Sequence, residues 1–571
     1  MKSSIAIANN EIVFLAWRPP AERLDGCLGF AVERIDVATG QAKILPAGVG
    51  FAGDARSSAQ GKTTADCPVQ KFSWRDLSPP YGRTYRYRIT PMVGTPGSLV
   101  PEPGQARLTD PVAVTDDCGG LRAFFNRGIV GTQATAKALP KSSGGGPDAE
   151  VLRARIGQVR DPLRERLSGF VPEAVQILLR RAQDEDGTCY CALYELSDPE
   201  LAGALLAARR NVRIVLSNTG ADDATNAASR QALHDAGADL RDRMLGSGHI
   251  GHNKFVVYVD AAGAARAVWT GSTNWTPTGL CAQTNSGVLI ESGALAARYL
   301  DYWNRLAADT DAAELKSELQ AAPFRTSNAG ARSPIVLDGG SEVSAWFSPN
   351  TRQKTKPRTP ATPPDLKEVF EVLDGARRGI LFLAFIPGSP SIVDRVHDLA
   401  LGDPDLFVRG ALTDTATARG FATDLFHRDG REPDARVTPV AGVPDDFAFW
   451  QKELWKVGHA VIHDKIAVVD PMDDARCAVV LGSHNLGFRA SYANDENLLV
   501  VRRCPALARA YAAHVQDVYD HYRWRATLGP KGKTKSGAKA FSGLDRTDRW
   551  QDKYLAADTS IAAEVRFWLD S

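Results

Sequence analysis

The sequence predicts a multidomain chain, an N-terminal β-sandwich followed by two pseudo-symmetric α/β lobes. Three observations carry this. Short apolar or alternating runs separated by Pro and Gly fill the first hundred residues; strand-like and helix-like segments alternate from about Leu121; and one His-x-Lys pattern, with the same downstream turn, occurs twice.

The sandwich rests on Ile12 to Trp17, Phe30 to Ile35 and Tyr85 to Ile89, each short enough for a strand and bounded by turn residues. The step Trp17-Arg18-Pro19-Pro20, with Leu77 eight residues before Tyr85, resembles a fibronectin type III domain and its tyrosine corner. The expected extent is residues 1–110.

Farther on, Cys189 to Leu196 reads as a strand, Pro199 to Arg209 as an amphipathic helix and Val212 to Leu216 as the next strand. The same order returns in Gly379 to Phe385, Ser391 to Leu401 and Leu406 to Gly410. Between the copies, Thr351 to Pro364 is rich in Lys, Arg and Pro and reads as a linker, and Pro140 to Pro147 reads as a flexible loop. The expected α/β units are residues 118–330 and 331–527. Residues 528–571 are left as a basic linker, Lys531 to Lys539, and a docking segment carrying Trp550, Tyr554, Phe567 and Trp568.

At 571 residues, with 44% hydrophobic and 24% charged residues, the chain has material for several cores. A net charge of +1 gives no whole-molecule attraction to nucleic acid or anionic membrane. Met1 to Leu15 lacks the pattern of a secretory signal, and no apolar run reaches the roughly 18 residues of a membrane span. The expectation is a cytoplasmic chain with no stable membrane insertion. The eight cysteines are scattered without zinc-like spacing, and are read as reduced and structural.

The repeated pattern is 252-HNKFVVYVD-260 with 271-GSTN-274, and 463-HDKIAVVD-470 with 482-GSHN-485. His to Gly is 19 residues in both copies, His to Asn is 22, and the copies lie 211 residues apart. A single His or Lys on a strand is ordinary packing; two copies in register are not. Eleven residues after each Asn stand Asn285 and Glu496 respectively. His249, His459 and His484 have no counterpart in the other copy and are read as loop or packing residues, His484 with specificity as its other reading.

His252, Lys254, Gly271, Ser272 and Asn274, with His463, Lys465, Asp470, Gly482, Ser483 and Asn485, resemble the paired half-sites of the phospholipase D superfamily. The first copy departs at its aspartate, since Asp260 comes one residue late and Val259 takes its register position. In a strand, His and Lys two apart share a face. Lys254, Lys465, Asn274 and Asn485 would then hold the non-bridging oxygens of a phosphodiester, with Ser272, Ser483, Gly271, Gly482, Asn285 and Asp470 in binding or support. One neutral imidazole attacks phosphorus while the other, protonated, serves the leaving oxygen. By resemblance Glu496 orients His252 across the lobe boundary, which makes His252 the nucleophile. No metal or cofactor is expected, and one chain is expected to hold the whole site. The implied activity is hydrolysis of a phosphodiester, with glycerophospholipids first and DNA or RNA as the alternative substrate. Transfer to an alcohol instead of water, and a non-enzymatic adaptor that only binds a phosphate ligand, are the other readings.

Overall fold

The run Val13-Phe14-Leu15-Ala16-Trp17 is apolar at every position because its strand is covered on both faces. Val13, Leu15 and Trp17 face a cluster with Phe30, Val32, Tyr87 and Ile89, while Phe14 and Ala16 face a second cluster with the long C-terminal helix Pro505–Thr527. The computed structural model describes residues 2–54, 59–128, 139–140, 148–330, 333–351, 361–413, 437–439, 462–527, 543–555 and 559–570. Most of the expected linkers at 140–147 and 351–364, the basic run 531–539 and His459 lie outside these residues.

Near the N-terminus a three-stranded sheet packs on a six-stranded one around the first of those clusters. Leu77 is exposed, and Tyr87, two residues beyond Tyr85, donates its hydroxyl to Asp76 at 2.9 Å.

The remaining strands form two larger mixed sheets. The first has the order Leu121–Phe125, Ser286–Ile290, Ala265–Gly271, Lys254–Val259, Thr188–Leu193, Val212–Thr219, Asp239–Leu245. The second runs Glu342–Ser348, Asn494–Arg502, Ala478–Gly482, Ile466–Val469, Gly379–Ala384, Phe407–Leu412, Val437–Pro439, with Ile335–Val336 at its edge. Each pairing in the first sheet has a counterpart of the same sense in the second: four antiparallel, then two parallel. Helices Val171–Asp184 and Pro199–Ala207 cover the outer face of one sheet, and Pro364–Asp374 and Ile392–Gly402 that of the other. The inner faces share one core with the helices Gly293–Ala312 and Pro505–Thr527.

Asp470 departs from its expected place in the site. It ends its strand with φ +46°, and its carboxylate accepts from the backbone N–H groups of Arg377, Arg378 and Gly379 at 2.8 to 2.9 Å. It fastens the start of the neighbouring strand, at the end remote from His463. Asp260 makes a different closure in the first copy, accepting from Ala264 N at 2.8 Å and Arg266 Nε at 2.6 Å within its own turn. The pairing shifts by a residue at Tyr258/Val259, where Arg266 of the partner strand is left unpaired.

The last helix, Thr559–Leu569, fastens the two ends of the chain together. Trp568 sits 4.7 Å from Phe14 between ring centroids, Phe567 stacks on Phe407 at 4.4 Å, and Arg18 pairs with Asp570. Trp550 meanwhile enters the sandwich core and donates to Cys27 O at 2.9 Å. Trp568→Ala should lower stability by about 3–5 kcal/mol through the cavity it leaves. Denaturant unfolding checks this, and a loss under about 1 kcal/mol would mean that the terminal helix is not part of the cooperative core.

Candidate active site

The two His-x-Lys segments meet because each enters the other sheet before joining its own. Ile250 and Gly251 pair in parallel with Asn494 and Asp495, and Ile462 bridges to Thr284 in the same sense. His252 N then donates to Asp495 O at 2.8 Å, and His463 N to Thr284 O at 3.1 Å. A fully buried Arg243 locks the first crossing, donating to Asp495 at 2.6 and 3.2 Å and pairing with Asp309 at 2.9 Å.

These crossings place the imidazoles with ring centroids 6.1 Å apart. His252 Nδ1 lies 2.9 and 3.0 Å from the Glu496 carboxylate oxygens, and His463 Nδ1 lies 2.9 Å from Asn285 Oδ1. Asn285 is oriented unambiguously. Its Nδ2 donates to Gly279 O at 2.7 Å, so its Oδ1 accepts both from Ser272 Oγ at 2.8 Å and from His463. His463 therefore carries its proton on Nδ1, as His252 does against a carboxylate. The backbone of Ser483 also acts on His252, and that of Ser272 on His463.

The GSxN turns supply the frame. Ser272 Oγ accepts from Ser286 N at 3.1 Å, and Ser483 Oγ from Asn497 N at 3.0 Å. A Cβ on Gly271 would stand 2.2 Å from Ser286 O; one on Gly482, at φ +139°, would stand 2.5 Å from Asn497 O. Glycine is thus required for the turn strand to lie this close to the strand bearing Asn285 or Glu496. Asn274 Nδ2 donates to Glu195 at 2.6 Å, and the Oδ1 atoms of Asn274 and Asn485 are buried without a partner among the described residues.

Both lysines are buried and curl back on their own strands. Lys254 Nζ donates to His252 O at 2.6 Å, and Lys465 Nζ to His463 O. Each ammonium also lies over an aromatic face, Lys254 at 5.1 Å from Tyr194 and Lys465 at 5.0 Å from Phe385. Those rings in turn lean on the histidines, Tyr194 on His252 at 5.1 Å and Phe385 on His463 at 4.8 Å.

Burial sets the charges. It holds His252 well below its usual pKa, with Lys254 and Lys465 adding to the effect, and does the same to His463. Lys465 is lowered by burial and then by Lys254. Lys254 is pushed down to about 7 by burial, against the pull of Glu496 and Glu195. Glu496 is pushed up to about 7 by burial, against Lys254. Glu195 is likewise raised by burial, with Lys254 opposing.

Sequence reasoning missed Tyr194, Glu195, Phe385 and Arg243. His249 and His484 are held by partners outside the two histidine–lysine pairs. His249 Nδ1 lies 2.7 Å from Gln320 Oε1, and His484 uses both ring nitrogens, accepting from Leu486 N at 3.0 Å and reaching Ser491 Oγ at 3.1 Å beside Asp365. No group of three or more His, Cys, Asp or Glu side chains is arranged to hold a metal ion among the described residues. Nor is any described helix long and apolar enough to cross a membrane.

Comparison with known proteins places a family model, described as cardiolipin synthase, PLD-like domain, on residues 176–307. No curated protein matches in sequence. Among solved structures, phosphatidylserine synthase of Haemophilus influenzae Rd KW20 is similar at 14% identity and TM-score 0.41, over 62% of this chain and 85% of its own. A phospholipase D family member, Nuc, of Salmonella typhimurium is similar at 23% identity and TM-score 0.19, over 22% and 82%. Yeast tyrosyl-DNA phosphodiesterase is similar at 12% identity and TM-score 0.30, over 57% and 86%.

The charge arrangement fixes a pH dependence. Glu496, raised, loses its negative charge as pH falls through about 7, and Lys254, lowered, loses its positive charge as pH rises through about 7. The form with both charged is therefore most populated between these losses. kcat/KM on a soluble diester should follow a bell centred near neutrality; a flat profile from about pH 5 to 9 would show that these two groups do not control the reaction.

Proposed function

We propose that this chain is a phosphodiester hydrolase of the phospholipase D superfamily that works through a phosphohistidine and acts on glycerophospholipids. The observation that carries the reading is the pair of imidazoles 6.1 Å apart, each tied at Nδ1 from across the interface, which makes Nε2 the nitrogen assigned to react. That separation leaves room for a tetrahedral phosphorus between two nitrogens, one attacking and one opposite at the leaving oxygen.

The roles follow from the unequal partners. Glu496 is a carboxylate and steadies the imidazolium that forms when His252 attacks phosphorus; Asn285 is neutral and only orients His463. Lys254, Lys465, Asn274 and Asn485 hold the non-bridging oxygens, the lysines supplying the positive charge the transition state requires. Substrate binding also sets protonation. With no anion present burial, and then the two lysines, keep a proton off His463; a bound phosphodiester anion offsets the lysine charges and so favours the proton that His463 gives to the leaving alkoxide. The alcohol departs, His463 then removes a proton from water, and the P–N bond to His252 breaks as the new P–O bond forms.

The same reading assigns the two mixed sheets to two lobes of a bilobal unit, residues 118–330 and 331–527, with the whole site in one chain. It assigns residues 1–110 to a fibronectin type III-like sandwich. The lipid substrate is favoured by the description of the matching family model, which names a lipid synthase.

With a good leaving group such as p-nitrophenolate, His463→Ala should still release the first product and should accumulate phosphate on His252. Glu496→Gln should slow that labelling more than Asn285→Ala does. Peptide mapping under alkaline conditions reads the label, and finding it on His463 would reverse the assignment. Side-by-side turnover of phosphatidylcholine vesicles, single-stranded and duplex DNA, and RNA tests the substrate; cleavage of nucleic acid alone would reject the lipid. Activity should also survive exhaustive chelation, and loss on EDTA with recovery on a divalent ion would mean that the lysines are not sufficient.

A further inference from the structure

Glu195 follows the strand Thr188–Leu193 and carries a carboxylate that the chemistry above does not use. It accepts from Asn274 Nδ2 at 2.6 Å, and Lys254 and Lys465 both act on it, with Asp222 opposing. Asn274 is the amide assigned above to a phosphate oxygen, and its Nδ2 carries two N–H groups, one given to Glu195 and the other available to that oxygen. Lys254 donates to His252 O and is needed for the phosphate.

Holding both, the amide sets the Glu195 carboxylate one hydrogen bond away from the phosphate, in a largely buried place. A carboxylate there is costly to keep ionised beside an incoming anion, and a donor carried by the substrate would offset that cost.

The second half of the site makes no such demand. Leu193 lies opposite Lys254, and Leu383 lies opposite Ile466, which sets Ala384 abreast of Lys465. Tyr194 thus corresponds to Phe385, and Glu195 to Ile386. Ile386 is 47% exposed and next to Phe385, whose ring leans on His463. One flank of the site accordingly carries the Glu195 carboxylate, on which the exposed Asp222 also acts, and the other carries Ile386.

We infer that Glu195 determines specificity by taking a hydrogen bond from an ammonium or hydroxyl group on the alcohol that lies on its side of the diester. This rests on the phosphodiesterase reading and extends it to a substrate class: a diester with a donor-bearing alcohol, best a primary amino alcohol, on one flank and an apolar group on the other. A further phosphate in the donor's place, as along a nucleic-acid strand, would face Glu195 and Asp222 and be repelled.

Near-isosteric p-nitrophenyl diesters of 2-aminoethanol, ethylene glycol and 1-propanol separate the two levels of the argument. Consumption of each is followed by phosphorus NMR, corrected for the uncatalysed rate, with the full-length protein. The aminoethyl and hydroxyethyl diesters should exceed the propyl diester in kcat/KM by about tenfold or more, mainly through KM, and in Glu195→Gln the aminoethyl-to-propyl ratio should fall to within about threefold of one. Equal rates on all three in the native protein would overturn the role of Glu195 while leaving the phosphodiesterase reading standing. So would a Glu195→Gln protein, melting like the native one, that loses activity on all three in the same proportion, since Glu195 would then only support Asn274. No turnover of any diester by the native protein would overturn the phosphodiesterase reading itself.

Discussion

The site depends on a crossed backbone pairing. Each His-x-Lys segment forms parallel contacts with the far sheet, through Gly251 to Asp495 and Ile462 to Thr284, just before it turns into its own. The two half-sites are therefore set against each other by main-chain hydrogen bonds, which hold position far better than surface side chains would. The same pairing brings Glu496 and Asn285, each one residue beyond the pairing partner, to the Nδ1 atoms of the opposite histidines. Arg243 reinforces the crossing from beneath. Its fully buried guanidinium would be prohibitively costly to desolvate alone and is matched by Asp495 and Asp309.

Electrostatics explains why the two halves are alike in frame and unlike in detail. Two lysines, Glu195 and Glu496 share one buried space, so the charges roughly balance, and each one's protonation depends on the others. On the proposed chemistry, an acidic residue at Asn285 as well would give the cradle a surplus of negative charge and oppose a phosphate. With neither position acidic, the proposed imidazolium at His252 would have no counter-ion. One carboxylate and one amide at equivalent positions satisfy both conditions, and Asn285 meets the geometric need at His463 without adding charge.

Much of this was legible in the sequence because the repeat keeps its register from each histidine to each Asn, and onward to Asn285 and Glu496. That stretch is a continuous run of strand, turn, short helix and strand in both copies, so a fixed residue offset is also a fixed position in space. Tyr194 and Phe385 are equivalent in space too, yet 58 residues separate Tyr194 from His252 and 78 separate Phe385 from His463. The intervening lengths differ, and no linear comparison aligns them. Glu195 was invisible for the further reason that its counterpart, Ile386, has no chemistry to match. Asp470 erred in the other direction: its register placed it with the motif, but it stands at the far end of a strand whose other end carries Lys465, and its carboxylate is spent on three backbone amides.

The chain ends pose the same problem on a larger scale. Read along the sequence, residues 1–110 look like a module that could be removed, since their alternation and turns are locally complete. In space the Val13–Trp17 strand is shared, its odd residues completing the sandwich and its even residues closing the core beneath Pro505–Thr527. A strand apolar on both faces requires a cover on each, and the sequence reading supplied only one. The second cover comes from helices more than 480 residues away, including the one that bears Trp568. Periodicity reports how many faces of a strand are buried but not by what. The five consecutive apolar residues at 13–17 were therefore a legible sign that the N-terminal sheet leans on the body of the protein, even though nothing local could identify the surface it meets.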